Sequence, residues 1–186
     1  MNERGRVRTP IKMIEEFNPQ RGPLEIAIHV RCDQWRQDLP DAEKVCRAAA
    51  GAVWASQGFT DGEAELSLLL ADDALLRELN RDYRNLDKPT NVLSFPQGEG
   101  GAIPSGGHLL GDVVLAFETI AREAMEQGKD LSDHTSHLVV HGVLHLLGYK
   151  HLRYSEAEEM EKLERRILAT LDVADPYTAA EIRIST

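Results

Sequence analysis

The alternation of apolar and polar residues predicts four β-strands in the first two thirds of the chain. The predicted ranges are 24–30, 63–70, 90–95 and 108–116. Pro89 and Pro96 bracket the third strand, because proline suits the margins of strands and not their centres. His29 is expected on the surface of the first strand, and the glycine-rich segment 98–107 is expected to be a surface loop.

Apolar residues that recur every three to four positions predict helices in most of the remaining chain. The predicted ranges are 41–57, 73–83, 117–127, the segment from Asp130 or Ser132 to Gly148, and 155–171. Ser155 and Glu158 have the spacing of a capping box at the start of the last helix. Two helices separate the early strands and the others follow the sheet. This order predicts an α+β or α/β domain with a mixed sheet of about four strands.

The length of 186 residues suits one domain with a substantial core. We predict a flexible N-terminal extension over 1–22, a single domain over 23–178 and a tail over 179–186. No apolar run approaches the length of a membrane span, and no secretory signal is recognised. With only Cys32 and Cys46, a reducing cytoplasm is the expected location, although a disulfide between them stays open.

The net charge of −10 argues against a protein that coats nucleic acid through charge alone. Acidic residues are concentrated in 118–126 and 156–164, so the two signs of charge are segregated along the chain. A local basic group is formed by Arg77, Arg81, Arg84 and Lys88. The total charge is therefore compatible with a basic surface at one place.

The spacing of three histidines predicts a metal site. His141 and His145 are four residues apart, so on a helix they project from the same face. Gly148 can end that helix with a left-handed turn, which brings His151 back toward the other two. Three histidines leave one tetrahedral position free, which is typical of a catalytic zinc. Ordinary packed histidines and a closed structural site are the alternatives, but no cysteine lies nearby as a fourth ligand.

The helix that carries these histidines is rich in apolar residues and is expected to be largely buried, which gives the ligands a rigid platform. His134 and His137 lie seven and four residues before His141, on the same helical stripe. They are candidates to line a groove, to hydrogen-bond a phosphate, to shuttle a proton or to support the metal ligands. Simple packing in the core is the competing interpretation.

Zinc held by three neutral imidazoles predicts hydrolytic chemistry. Zinc proteases of the metzincin type share this histidine spacing, but they have a glutamate directly after the first histidine as general base. Here that position is Gly142. A peptidase is therefore the less favoured alternative.

Three segments together resemble the YbeY family of bacterial endoribonucleases, also called rRNA maturation factors. They are Leu-Asn-Arg-Asp-Tyr-Arg with Asp-Lys-Pro-Thr-Asn-Val-Leu-Ser-Phe-Pro (79–96), Leu-Leu-Gly-Asp-Val-Val (109–114) and His-Gly-Val-Leu-His-Leu-Leu-Gly-Tyr-Lys-His (141–151). The likeness runs from about residue 64 to the Asp-Pro-Tyr at 175–177.

The resemblance implies a cytoplasmic, zinc-dependent, single-strand-specific endoribonuclease that acts in 16S rRNA 3′-end maturation and ribosome quality control. It places one Zn2+ on His141, His145 and His151, and the functionally important arginine on Arg84. The expected partners are single-stranded RNA, above all ribosomal RNA, and the ribosome or its small-subunit proteins. No membrane or DNA partner is expected. A non-catalytic ribosome-assembly factor stabilised by zinc is the alternative function.

Arg84 suits this chemistry because a guanidinium can hold two oxygens of a phosphodiester through paired hydrogen bonds. Arg84 and His141 are thus the candidate catalytic residues, and Arg81 and Lys88 are candidates for phosphate contacts. One residue departs from the family pattern, since Lys150 stands where the family usually has an aspartate before the third histidine. Lysine cannot accept a hydrogen bond from a ligand and opposes the charge of a metal ion.

Overall fold

A computed structural model describes residues 24–58, 64–97, 108–151 and 153–178, and in these ranges it contains one four-stranded sheet. The strands are β1 (Leu24–Val30), β2 (Ala64–Ala71), β3 (Val92–Pro96) and β4 (His108–Ala116). Their order is β1-β2-β4-β3, with β1, β2 and β4 parallel and β3 antiparallel to β4 at one edge. The predicted α+β class with a mixed four-stranded sheet is confirmed.

Six helices accompany the sheet in the described ranges. They are α1 (Gln34–Asp38), α2 (Ala42–Ser56), α3 (Asp73–Arg84), α4 (Phe117–Gln127), α5 (Leu131–Leu146) and α6 (Tyr154–Ala169). The sequence did not predict α1, because five residues are too few to show helical periodicity. The helix carries Trp35, whose side chain is fully buried. The Nε1 of Trp35 donates to the Ala71 carbonyl at 2.9 Å.

Alternate residues of each strand point to opposite faces of the sheet, so the helices form two layers. On β4, Val113 and Leu115 belong to the larger apolar core, which the helices α2, α5 and α6 cover. Val114 and Ala116 belong to the smaller core on the other face, which α3 covers. The helix α5 crosses the middle of the larger layer and packs against α2, α4, α6, β3 and β4. It is thus the buried platform that its apolar sequence predicted.

Gly111, in the Leu-Leu-Gly-Asp segment of β4, is required by the approach of β3. Its φ is +133°, a backbone conformation that side chains other than glycine rarely adopt. A Cβ atom at this position would lie 2.1 Å from the carbonyl oxygen of Phe95. The register between β2 and β4 shifts at the same point, so this segment forms a bulge beside the edge strand.

Several local predictions were wrong in detail. Pro96 is the last residue of β3 and pairs with Gly111, which an edge strand tolerates because one side of it needs no ladder hydrogen bonds. The last helix begins at Tyr154, so Ser155 lies inside it and cannot form the predicted capping box. Instead, the Glu156 carboxylate accepts from the Arg153 backbone N–H at 3.3 Å. Glu158 pairs with Lys162 at 2.7 Å.

The two cysteines are separate, buried thiols, so no disulfide joins Cys32 and Cys46. Burial raises the pKa of the Cys46 thiol to about 12. Within the described residues, no helix is long and apolar enough to cross a membrane. The predicted extension over 1–22, loop over 98–107 and tail over 179–186 lie outside the described ranges.

Candidate metal centre

The structure brings His141, His145 and His151 together at the end of α5. Each offers a ring nitrogen, and the three nitrogens lie within 4.8 Å of one another. His141 and His145 are one turn apart on α5, and Gly148 adopts a φ of +91° just after the helix. That left-handed residue turns the chain so that the His151 ring centroid lies 5.5 Å from that of His141. The spacing in the sequence predicted this grouping.

Two of the three histidines have their Nδ1 atoms engaged by groups that only accept hydrogen bonds. His141 Nδ1 lies 2.8 Å from Oε1 of Glu164, and His145 Nδ1 lies 2.9 Å from the carbonyl oxygen of Tyr149. Each Nδ1 therefore carries the proton and donates it, which leaves Nε2 as a bare lone pair in the neutral ring. Both rings thus have their metal-binding nitrogen exposed to the same space.

The two Nε2 atoms of His141 and His145 face each other at 3.0 Å. Two lone pairs at this distance repel one another, and a shared cation removes that repulsion. Burial, followed by the neighbouring His141, lowers the pKa of His145 to about 4, so its ring is neutral at physiological pH. Three imidazoles, two of them oriented through Nδ1, form a donor set that fits zinc with one open position.

Glu164 contacts the histidine group, and the sequence did not single it out. Its side chain lies on α6, is fully buried, and accepts from His141 Nδ1 and from His137 Nε2 at 3.2 Å. Tyr177 donates its hydroxyl to the same carboxylate. Burial would raise the pKa of Glu164, but the hydrogen bonds from His137, His141 and Tyr177 outweigh it and lower the pKa to about 2. The carboxylate is therefore ionised.

A signal for Glu164 was present in the periodicity of α6. The inward face of this helix carries Met160, Leu163 and Ile167, all of which are buried and apolar. A carboxylate at position 164 lies within this stripe. Because a buried charge is costly unless it is paired, such a residue predicts a partner inside the protein.

His134 and His137 are not part of the group of three. His134 lies 2.9 Å through Nε2 from Oε2 of Glu123, and His137 pairs with Glu164. Both rings are mostly buried, with the side chain of His134 only 5% exposed. The Glu164 carboxylate that His137 contacts also contacts His141, one of the candidate ligands.

Gly142 faces the sheet and not the histidine group. A Cβ atom here would lie 2.8 Å from Val113 Cγ1, and Ser94 Oγ donates to the Gly142 carbonyl at 3.0 Å. The glycine lets α5 lie close against β3 and β4. An acidic side chain at this position would enter the core, so the residue after the first histidine cannot supply a general base.

Arg84 is the last residue of α3 and is exposed. Asn85 ends the helix in the left-handed conformation, with a φ of +56°. Since α3 and α5 cover opposite faces of the sheet, Arg84 lies at the end of a helix in the layer opposite the three histidines. Among the described residues no hydrogen bond or ion pair engages its side chain or links it to the three histidines. Arg81 pairs with Asp82 at 2.9 Å, and Lys88 is exposed.

Lys150 is exposed directly before His151. Its side chain forms no hydrogen bond or ion pair with any other described residue. The positive charge next to the third ligand is thus not neutralised by a neighbouring carboxylate, which leaves it able to oppose a bound cation.

Comparison with known proteins identifies relatives over most of the chain. The family model described as Endoribonuclease YbeY matches residues 29–172. The Endoribonuclease YbeY of Paramagnetospirillum magneticum is 52% identical over 157 residues, which cover 83% of this chain and 96% of the relative. The protein of the same name from Parvibaculum lavamentivorans is 50% identical over 167 residues, covering 84% of this chain and 86% of the relative.

Among solved structures, the solution structure of TM1509 from Thermotoga maritima is similar over 82% of this chain and 97% of its own, at 19% identity and a TM-score of 0.45. The family model and the sequence relatives are the stronger findings, and the matched range 29–172 includes β2, β3, β4, the helix α5 and all three histidines. The chain therefore belongs to the Endoribonuclease YbeY family.

Proposed function

We propose that this chain is a zinc-dependent, single-strand-specific endoribonuclease that acts in 16S rRNA 3′-end maturation and in ribosome quality control. The observation that carries the metal dependence is the pair of bare Nε2 atoms of His141 and His145, which face each other at 3.0 Å. Membership in a family whose members are named endoribonucleases supports RNA as the substrate.

His141, His145 and His151 are the residues that would hold the ion. Bound there, zinc would supply Lewis acidity toward an oxygen ligand at the open position. The protein's own part is orientation. Glu164 keeps the proton of His141 on Nδ1, and the carbonyl of Tyr149 does the same for His145. Both rings therefore present Nε2 without a tautomer change.

Arg84 is the proposed phosphate-binding residue. A phosphodiester gains negative charge on its non-bridging oxygens as it reacts, and a guanidinium can stabilise that charge through two parallel hydrogen bonds. Arg84 has no ion-pair partner among the described residues, whereas Arg77 is held by Asp87 through two bonds of 2.7 and 3.0 Å. The guanidinium of Arg84 is thus available to a substrate. Arg81 and Lys88 would add weaker contacts to the RNA backbone.

The proposed location is the cytoplasm, and the proposed partners are single-stranded ribosomal RNA and the small ribosomal subunit. One rival function is a ribosome-assembly factor in which zinc only stabilises the fold. The buried network that joins α5 to α6 through Glu164 would also be stabilised by an ion, so this rival predicts the same metal content. It differs in predicting no metal-dependent RNA cleavage.

The peptidase alternative lacks the general base that zinc proteases carry directly after the first histidine. The position that carries the general base in zinc proteases is Gly142, which packs against the sheet. The carboxylate that contacts a ligand is Glu164, and its Oε1 already accepts from His141. The group of candidate ligands found in the described residues consists of histidines alone.

The test is cleavage of a single-stranded RNA by protein stripped of metal and then supplied with Zn2+. Cleavage should disappear with the metal, return with Zn2+, and be lost in His145→Ala purified in the same way. Thr135→Val is the matched control, since Thr135 lies on α5 and its hydroxyl donates only to the Leu131 carbonyl. Once a contaminating nuclease has been excluded, equal cleavage by wild type and His145→Ala would contradict the proposal. Metal binding without cleavage would favour the assembly factor.

A further inference from the structure

The Asp-Pro-Tyr segment after α6 folds back onto the buried end of Glu164. Lys129 Nζ donates to the Pro176 carbonyl at 2.9 Å, and Arg165 pairs with Asp175 at 3.1 Å. The guanidinium of Arg165 also lies over the Tyr177 ring, 5.0 Å from its centroid. These contacts come from two other elements, α6 and the turn after α4. They hold the tyrosine in one place without involving its hydroxyl group.

The hydroxyl of Tyr177 is directed at one oxygen of Glu164. Oε2 accepts from Tyr177 and, at 3.2 Å, from His137 Nε2, whereas Oε1 accepts from His141 Nδ1 at 2.8 Å. Burial, then the carboxylate itself, raises the pKa of Tyr177, so its hydroxyl stays protonated and must be the donor. The two oxygens of one carboxylate thus serve different partners, one of which is a candidate metal ligand.

We propose that Tyr177 is a positioning residue of the metal centre, which acts through Glu164 to hold His141 in the orientation and tautomer that bind metal. The terminal torsion of a glutamate side chain is broad, so a carboxylate held at Oε2 only by the 3.2 Å bond from His137 could rotate away from the His141 imidazole more easily. The bond from Tyr177 at Oε2 adds a second restraint against that rotation. The proposal rests on the proposed metal site. It assigns a role to the Asp-Pro-Tyr segment, which contains none of the candidate ligands.

A purely structural role for Tyr177 is the competing explanation. Tyr177→Phe distinguishes a positioning role from a purely structural one, because it keeps the ring over Arg165 and removes only the hydroxyl group. Thr135→Val is the control for stability. It removes a buried hydroxyl from α5 itself, and that hydroxyl donates to the Leu131 carbonyl and not to Glu164.

The experiment measures the dissociation constant of Zn2+ by competition with a fluorescent chelator, with the full-length protein and Zn2+ alone. We expect Tyr177→Phe to weaken Zn2+ binding about threefold to tenfold, the effect of one lost hydrogen bond. Glu164→Gln should weaken it about 10- to 100-fold, as is usual for partners of metal ligands. The double variant should bind no more weakly than Glu164→Gln, since Tyr177 acts through that carboxylate. Thr135→Val should bind Zn2+ like the wild type even if its melting temperature falls.

A second readout is the tautomer of His141 in the metal-free protein, followed by long-range proton–nitrogen NMR correlation of the imidazole. The Nδ1–H form should dominate in the wild type and lose population in Tyr177→Phe. This measurement tests whether Tyr177 positions His141 even if Glu164→Gln does not fold.

Three results would overturn the inference: unchanged Zn2+ affinity and His141 tautomer in Tyr177→Phe, additive losses in the double variant, or an equal loss of affinity in Thr135→Val. A wild-type protein that binds no Zn2+ would overturn the proposed metal site as well. A wild-type protein that binds Zn2+ while Tyr177→Phe does so equally well would overturn only the role of Tyr177.

Discussion

His141 Nδ1 lies 2.8 Å from Oε1 of Glu164, a carboxylate that is ionised although its side chain is only 1% exposed. This pair joins the candidate metal centre on α5 to the core of α6. A buried charge is stabilised by its partners and is costly without them. Changes at the metal centre should therefore alter the stability of the fold, and changes in α6 should alter metal binding.

The stability of the metal-free protein should fall at acid pH because of Glu164. Its pKa is about 2 in the fold against an ordinary value of 4.5, so the stabilisation is complete above about pH 4.5 and is lost as the pH falls toward 2. The contribution is on the order of 3 kcal/mol over that whole window. Urea unfolding at pH 5, 4 and 3 measures it, with Glu164→Gln as the control. An equally steep loss of stability in Glu164→Gln would contradict the assignment.

Substitution of alanine for two helical glycines should have opposite effects. Gly51 in α2 has open space where a Cβ would stand, with nothing within 4 Å, so Gly51→Ala should raise the free energy of unfolding by about 0.5–1 kcal/mol. Gly142→Ala would place a Cβ 2.8 Å from Val113 Cγ1. The overpacking, less the helix-propensity gain, should lower stability by about 1–2 kcal/mol. Denaturant unfolding of both variants checks this, and stabilisation by Gly142→Ala would disprove the close packing of α5 on the sheet.

Lys150→Asp should tighten Zn2+ binding by about threefold to tenfold at low salt, because it replaces a like charge beside His151 with an opposite one. The gain should shrink as the ionic strength rises. Lys44→Asp is the charge-matched control. Lys44 lies beside Ser132 at the start of α5, about 20 Å along the helix from His145. Competition titrations at two salt concentrations measure the effect. An equal gain in both variants would mean that only the net charge matters.

Arg84→Ala should lower kcat for RNA cleavage by about 100-fold or more, since it removes a group proposed to stabilise charge on the reacting phosphate. Zn2+ affinity and melting temperature should not change, because the exposed side chain has no partner among the described residues. Arg84→Lys should recover only part of the rate, as lysine cannot form the paired hydrogen bonds. Arg77→Ala is the control, since Arg77 is already paired with Asp87. Cleavage by Arg84→Ala at the wild-type rate would remove Arg84 from the mechanism.

Local sequence patterns predicted the elements that depend on residues close to one another in the chain. The strand over 24–30, the strand over 108–116 and the helix over 117–127 were predicted at the bounds that the structure has. Asp130 was one of the two predicted N-caps of α5, and its carboxylate accepts from the Ser132 N–H at 2.8 Å. The turn at Gly148 was also expected. Each of these features depends on residues within a few positions of one another, so the sequence contains their cause.

Errors arose where the predicted local pattern has a competitor. Ser155 and Glu158 have the spacing of a capping box, but the helix begins one residue earlier and Glu158 pairs with Lys162 on the same helix. The helix α1 was missed because its Trp35 is buried and donates to Ala71, which is 36 residues away in the chain. That long-range contact cannot be deduced from a short window of sequence.

The residues that could bind a metal ion are predictable from the chain alone, because helix geometry puts His141 and His145 on one face and Gly148 turns the chain before His151. The orientation and the surroundings of these candidate ligands depend on tertiary packing. Glu164 contacts His141 across 23 residues of chain, and Tyr177 joins them from a segment beyond α6. Gly142 turned out to face β3 and β4. Ligand spacing is a property of one helix, whereas the burial of a charge and the direction of its hydrogen bonds depend on the packing of helices against each other and against the sheet.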